Sequence, residues 1–184
     1  MVIKRYLKKL IFCCAFFSIP ALAYETQLSL GWQTFSAKQL TGDSSIDSQK
    51  ENGSSALIGF TIHNRNGNNE RHHLGAGIEI SEVLDTTLTG FRAIDYRYHL
   101  NQSLSYGLFL GAASLDSGLP QNGYFAGISG HWQISNGPFG LGFEFRRAEG
   151  LGRDRLLDDD PEGEKPDIFI DVDSVLFSLY WNIK

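Results

Sequence analysis

The sequence predicts an all-β protein: eight antiparallel strands in up-and-down order, closed as a barrel. Three observations carry this. Segments in which every second residue is apolar recur along the chain, and strands turn alternate side chains to opposite faces. The connections between these segments alternate between long and short. The residues between the apolar positions are mostly small or charged, a pattern that suits a narrow enclosed space better than a water-facing surface.

The chain begins with a leader. Lys4, Arg5, Lys8 and Lys9 precede an apolar run over residues 10–19, and in the stretch Ala21-Leu22-Ala23 the two alanines supply the small residues of a cleavage site. This predicts a secretory signal peptide over residues 1–23 and a mature domain over residues 24–184. The apolar run is short for a spanning helix, which needs about 20 residues. Cys13 and Cys14 both fall inside the leader, so the mature domain contains no cysteine. Removing the four leader bases leaves 12 Lys and Arg against 21 Asp and Glu, a net charge of −9. That balance argues against a nucleic-acid partner, because phosphate backbones are bound by basic surfaces. After the leader there is no helical spanning segment.

Eight segments follow in order. Residues 25–35 place Leu28, Leu30 and Trp32 on one face, and residues 55–64 do the same with Ile58, Phe60 and Ile62. Residues 72–81 set Leu74, Ala76, Ile78 and Ile80 against Gly75, Gly77 and Glu79. Residues 91–100 set Ile94, Tyr96, Tyr98 and Leu100 against Asp95, Arg97 and His99. Residues 104–113 carry Leu104, Tyr106, Leu108 and Leu110 opposite Gly107 and Gly111. Residues 123–134 align Tyr124, Ile128, Trp132 and Ile134. Residues 138–147, PFGLGFEFRR, alternate Phe139, Leu141, Phe143 and Phe145 with Gly140, Gly142, Glu144 and Arg146. Residues 174–183 close the chain with Val175, Phe177, Leu179, Trp181 and Ile183.

The links predict one long-loop end and one short-turn end. The first link spans about 19 residues and the last runs from about Ala148 to Asp173; RNGNNER, NQS and NG lie at the opposite end. Asn136-Gly137 favours a two-residue type I′ turn. That turn pairs Trp132 with Leu141, Gly130 with Phe143, Ser129 with Glu144 and Gly127 with Arg146, so the apolar residues share one face.

Which face is inside decides the class. Gly75, Gly77, Gly107, Gly111, Gly127, Gly140 and Gly142 all lie on the face without large apolar residues. Glycine weakens a water-facing strand, whereas small residues make room for long ones inside a narrow barrel. The long ones are Glu79, Asp95, Arg97, Glu144 and Arg146, three acids and two bases near mid-strand. A charge turned to lipid costs about 2–4 kcal/mol, and a buried charge needs a partner. The expectation is therefore an eight-stranded transmembrane β-barrel, with apolar side chains toward lipid and a lumenal ion-pair cluster. Tyr98, Tyr106, Trp132, Phe139 and Trp181 gather near the short-turn end on the apolar face, as an interfacial aromatic girdle would. A soluble lipocalin-like binder is the alternative with the faces exchanged.

These features resemble the small eight-stranded outer-membrane β-barrels of the OmpX and OmpA-transmembrane-domain kind. The resemblance covers the mature chain as architecture and rests on no family-specific motif. The closing VLFSLYWNI is similar to the C-terminal signal that the barrel-assembly machinery reads, although Lys184 stands where such chains usually end on an aromatic residue. It implies a monomer in the cell outer membrane, in contact with lipid and lipopolysaccharide, acting as a structural or surface-interaction protein.

The lumen is expected to be packed rather than open, since eight strands leave room only for side chains. No cofactor, metal or catalytic group is assigned. A lipid A-modifying enzyme remains the rival with chemistry. Against it, His63, His72, His73, His99 and His131 all map to the short-turn half, away from the outer leaflet. Ser129 and His131 share a face, but the lumenal one. His72-His73 beside His63 has metal-ligand chemistry and is read as a solvated turn. The acidic stretch 154–167 holds Asp158, Asp159, Asp160, Glu162, Glu164 and Asp167, carboxylates of the kind that bind Ca²⁺, but without EF-hand spacing.

Overall fold

The computed structural model describes residues 24–41, 49–65, 71–116, 120–134, 137–153 and 168–183. The expected signal peptide, the acidic stretch 154–167, Asn136 and Lys184 lie outside them. The strands are β1 (Tyr24–Thr41), β2 (Gln49–Arg65), β3 (His72–Val83), β4 (Thr86–His99), β5 (Leu104–Asp116), β6 (Pro120–Gln133), β7 (Phe139–Arg153) and β8 (Ile168–Ile183). Each pairs with its neighbour in sequence, and β8 pairs antiparallel with β1 to close the barrel. Closure leaves no free edge along the paired length, the one arrangement of strands that satisfies backbone groups inside a bilayer. The β6–β7 hairpin has the register that Asn136-Gly137 predicts: Trp132 faces Leu141, Ser129 faces Glu144 and Gly127 faces Arg146.

The strands are longer at the long-link end than the pattern suggests. β1 and β2 continue as a paired ribbon with Ala37 opposite Glu51, inside the link read as 19 residues. The segment between residues 82 and 90 is a tight hairpin, Val83 facing Thr86 across Leu84 and Asp85. Both turn residues have positive φ, 54° and 56°, the geometry of a type I′ turn made without glycine. The physical reason is an inversion of polarity. In these outer halves Val83, Leu88, Ala113, Leu115, Ala148, Leu151, Ile170 and Val172 point inward and are buried. Lys38, Glu82, Asp116, Arg147, Glu149 and Asp173 point outward. The outer third of the barrel thus has an apolar core and a polar exterior, as a protein in water does. The other two thirds are reversed: Leu30, Trp32, Ile80, Leu108, Ile128 and Phe177 are exposed on the outside while charged groups fill the lumen.

One irregularity shapes the interior. The register of β4 shifts between Arg92 and Ile94 against β5, and that of β3 between Gly75 and Gly77 against β4. This β-bulge turns two consecutive residues, Ala93 and Ile94, outward. Arg92 and Asp95, which flank them, both point into the lumen and are 4% and 1% exposed.

Candidate functional site

The lumen is built in three layers. At the short-turn end lies a polar layer. Gln27 Nε2 donates to Asn182 Oδ1 at 3.0 Å, and Asn182 Nδ2 donates to Gln133 Oε1 at 3.0 Å. The Tyr180 hydroxyl reaches the same Gln133 oxygen at 3.3 Å. Glu25 meets His73 at 3.4 Å, and the His73 and His99 rings pack tilted with centroids 4.2 Å apart. At the opposite end is the apolar core, whose lowest members are Phe109 and Phe125, with ring centroids 5.1 Å apart.

Between them sits the charged layer. Glu79, Asp95, Arg97, Glu144 and Arg146 all point inward and are at most 6% exposed. The structure brings them together around Arg92, which the alternation of β4 does not place inside. Arg92 donates to Glu79 Oε2 from Nε at 2.9 Å and from Nη2 at 2.6 Å. It also donates to both oxygens of Glu144, at 3.1 and 2.6 Å, and to Asp95 Oδ2 at 3.3 Å. Its guanidinium carbon lies 3.9 Å from the centre of the Phe109 ring, so the hub also anchors the apolar core. Arg146 pairs with Glu79, contacts Glu144 at 3.6 Å and donates to Gln33 Oε1 at 2.9 Å. Asp95 is further held by His63 at 3.0 Å and Arg97 at 3.5 Å. Three acids and three bases thus balance within a buried layer, the condition under which buried charge is tolerated. The missed signal was local: an apolar doublet, Ala93-Ile94, between two charged residues.

This layer is a plug. Its side chains span the lumen, and the enclosed cavity beside Thr61, Arg97 and His131 measures about 10 Å³, room for one water. Thr61 Oγ1 and both ring nitrogens of His131 are buried there without a hydrogen-bond partner among the described residues. Ser129 and His131 lie within the lumen, 8% and 5% exposed, with the His131 ring packed edge-on to Tyr180 at 5.5 Å. Among the described residues there is no cluster of three or more metal-ligating side chains. His72 points outward and bonds the Tyr96 hydroxyl at 2.6 Å, apart from lumenal His63 and His73.

On the outer surface, Tyr98, Tyr106, Trp132, Phe139 and Trp181 lie on adjoining strands toward the short-turn end. Tyr98 and Tyr106 are ring neighbours at 5.4 Å, and Phe139 stacks on Trp181 at 6.3 Å. At the other limit of the apolar surface, Arg147 lies within 3.3–3.4 Å of Glu149, Asp171 and Asp173. The facing Asp173 carboxylate, with the hydrogen bond to Glu149, raises the Arg147 pKa above its ordinary value.

Fold and lumen together define a class: a small transmembrane β-barrel filled by its own side chains, with the architecture of the eight-stranded outer-membrane proteins. No family model matches the chain, and no curated protein matches it by sequence. Among solved structures, it is similar to Ail, the attachment invasion locus protein of Yersinia pestis, in complex with the heparin analogue sucrose octasulfate. The TM-score is 0.53 at 10% identity, over 87% of this chain and 99% of that one. It also matches Neisserial surface protein A with a TM-score of 0.45 at 13% identity, over 85% and 97% of the two chains. The likeness to Ail is one of fold.

Proposed function

We propose that this chain is an integral protein of the cell outer membrane with a packed, non-porin lumen. It acts without catalysis, as an envelope structural or surface-interaction protein. The carrying observation is the inversion of polarity along the strands, seen at matching height on β1, β7 and β8. A continuous apolar exterior of this extent is incompatible with a monomer in water, and it stops where the charged exterior around Arg147 begins. Lipid A chemistry finds no support in Ser129 and His131, because the barrel wall separates both from lipid. β8 is the partner offered to the assembly machinery, since it also closes the barrel against β1. The acidic stretch 154–167 is read as a solvated charged loop rather than a divalent-ion site, and calcium titration of thermal stability tests this. The decisive experiment is fractionation of expressing cells, followed by electrophoresis with and without boiling. Outer-membrane location with a heat-dependent mobility shift supports the reading. A soluble periplasmic protein without the shift overturns it and returns the lipocalin-like alternative.

A further inference from the structure

We infer that the outward face of β1 and β2, just above the apolar band, binds a phosphate of a phosphorylated glycolipid headgroup through Lys38 and Lys50. The inference rests on the outer-membrane reading above. Lys38 and Lys50 face each other directly across the β1–β2 ladder, and both are exposed. Like charges directly opposite on one face of a sheet repel. Neither lysine has an ion pair among the described residues. On its other side Lys38 neighbours Asp171, but that carboxylate is engaged: it faces Arg147 at 3.4 Å and accepts the Gly150 N–H at 2.9 Å. Lys50 has no strand beyond it, because the pairing of β2 with β3 starts only at Leu57. Among the described residues, then, two lysines stand opposite each other with no counter-ion, and a phosphate between them turns repulsion into charge-assisted hydrogen bonding.

The surface below the pair suits a sugar phosphate. Successive outward pairs are Trp32 with Ala56, Thr34 with Ser54, Ser36 with Asn52 and then Lys38 with Lys50. Trp32, 56% exposed, is the last large apolar side chain on β1 before this ladder. Hydroxyls and an amide then cover the level where sugars lie. From Thr34 to Lys38 the strand climbs about 14 Å, or roughly 10 Å of height at a typical barrel tilt. That is the level of a headgroup rather than of acyl chains or bulk solvent. Asp171 and Asp173 adjoin this surface across the β1–β8 ladder, opposite Lys38 and Ser36, and Arg147 pairs with both.

The test titrates the folded full-length barrel in detergent with a purified phosphorylated diglucosamine lipid, counting bound lipid by native mass spectrometry. Basic groups at an anionic surface each strengthen association about fivefold, so Lys38→Gln with Lys50→Gln should weaken it about 25-fold. Enzymatic dephosphorylation of the lipid should weaken binding to the unaltered protein by a similar factor. Arg71→Gln, a charge removed at the short-turn end, should change nothing. Equal binding by the double variant, or indifference to the lipid phosphate, overturns the inference. Inorganic phosphate binding as tightly as the lipid overturns the headgroup as the source. The heat-mobility shift is read on every variant. Its persistence without a lysine effect fails this inference alone, whereas its absence from the unaltered protein fails the membrane reading.

Discussion

Arg92 offers the sharpest test of how the lumen is held. Replacing it with Met keeps most of the volume and removes the charge. Five hydrogen bonds to Glu79, Asp95 and Glu144 disappear with it. Removing one partner of a buried ion pair costs about 3–5 kcal/mol, because the other charge stays buried and uncompensated. Here the loss belongs near the lower end. Glu79 and Glu144 keep Arg146, and Asp95 keeps His63 and Arg97. The lost contact with the Phe109 face adds about 0.5–2 kcal/mol. The expected total is about 3–5 kcal/mol. The assay is reversible urea unfolding in phospholipid vesicles, with the folded fraction read from unboiled gel mobility. Arg147→Met is the control: it also sits among three carboxylates, but it is 48% exposed, and surface pairs contribute at most about 1 kcal/mol. Adding Glu144→Gln to Arg92→Met should recover part of the loss, since one stranded charge is then removed. If Arg92→Met costs no more than Arg147→Met, the hub is not what secures the lumen.

Three further outcomes can be read in the same assay. Leu108→Arg places a cation on the apolar exterior, where the leucine is 51% exposed, and should cost about 2–4 kcal/mol in vesicles. Gly111→Ala drives a methyl into the carbonyl of Phe91 beside the β4 bulge and should cost more than about 2 kcal/mol, whereas Gly130→Ala meets nothing and should stay within about 0.5 kcal/mol. Asp85→Gly relieves a φ of 56° in the β3–β4 turn and should raise stability by about 0.5–1 kcal/mol. No gain there would mean that the turn geometry is tighter on aspartate than the backbone angle implies.

The parts of this fold that were legible in the sequence are those where one period runs unbroken. β7 reads from Phe139 to Arg146 without interruption, and the register of its hairpin follows from Asn136-Gly137 alone, because a two-residue turn leaves no freedom of parity. Arg92 was not legible for the complementary reason. Counting back from Ile94 by twos puts it on the lipid side, and only a bulge absorbs the extra residue. The outer strand ends were hidden by a change of solvent rather than of period. Ile170 and Val172 alternate with Asp171 and Asp173 as cleanly as Phe177 and Leu179 do with Leu176 and Ser178, but the apolar set has moved from the outward face to the buried one. A rule that equates apolar with outward ends these strands too early.

That exchange of faces fixes where the barrel leaves the membrane. On β8 the outward residues Val175, Phe177, Leu179, Trp181 and Ile183 are all apolar or aromatic, while Asn182 points inward to Gln27 and Gln133. Nine residues at about 3.3 Å each, tilted by about 40°, rise roughly 23 Å, close to the apolar band of about 25 Å that outer-membrane barrels present. Immediately above come Asp173 and Asp171 outside and Val172 and Ile170 inside. A soluble barrel would carry the second arrangement from end to end, and a barrel wholly within lipid would carry the first. One chain holding both, with the crossover at a matching height on β1, β7 and β8, requires two solvents and a boundary between them. The Lys38–Lys50 pair stands on the water side of that boundary, within reach of whatever charge the lipid presents there.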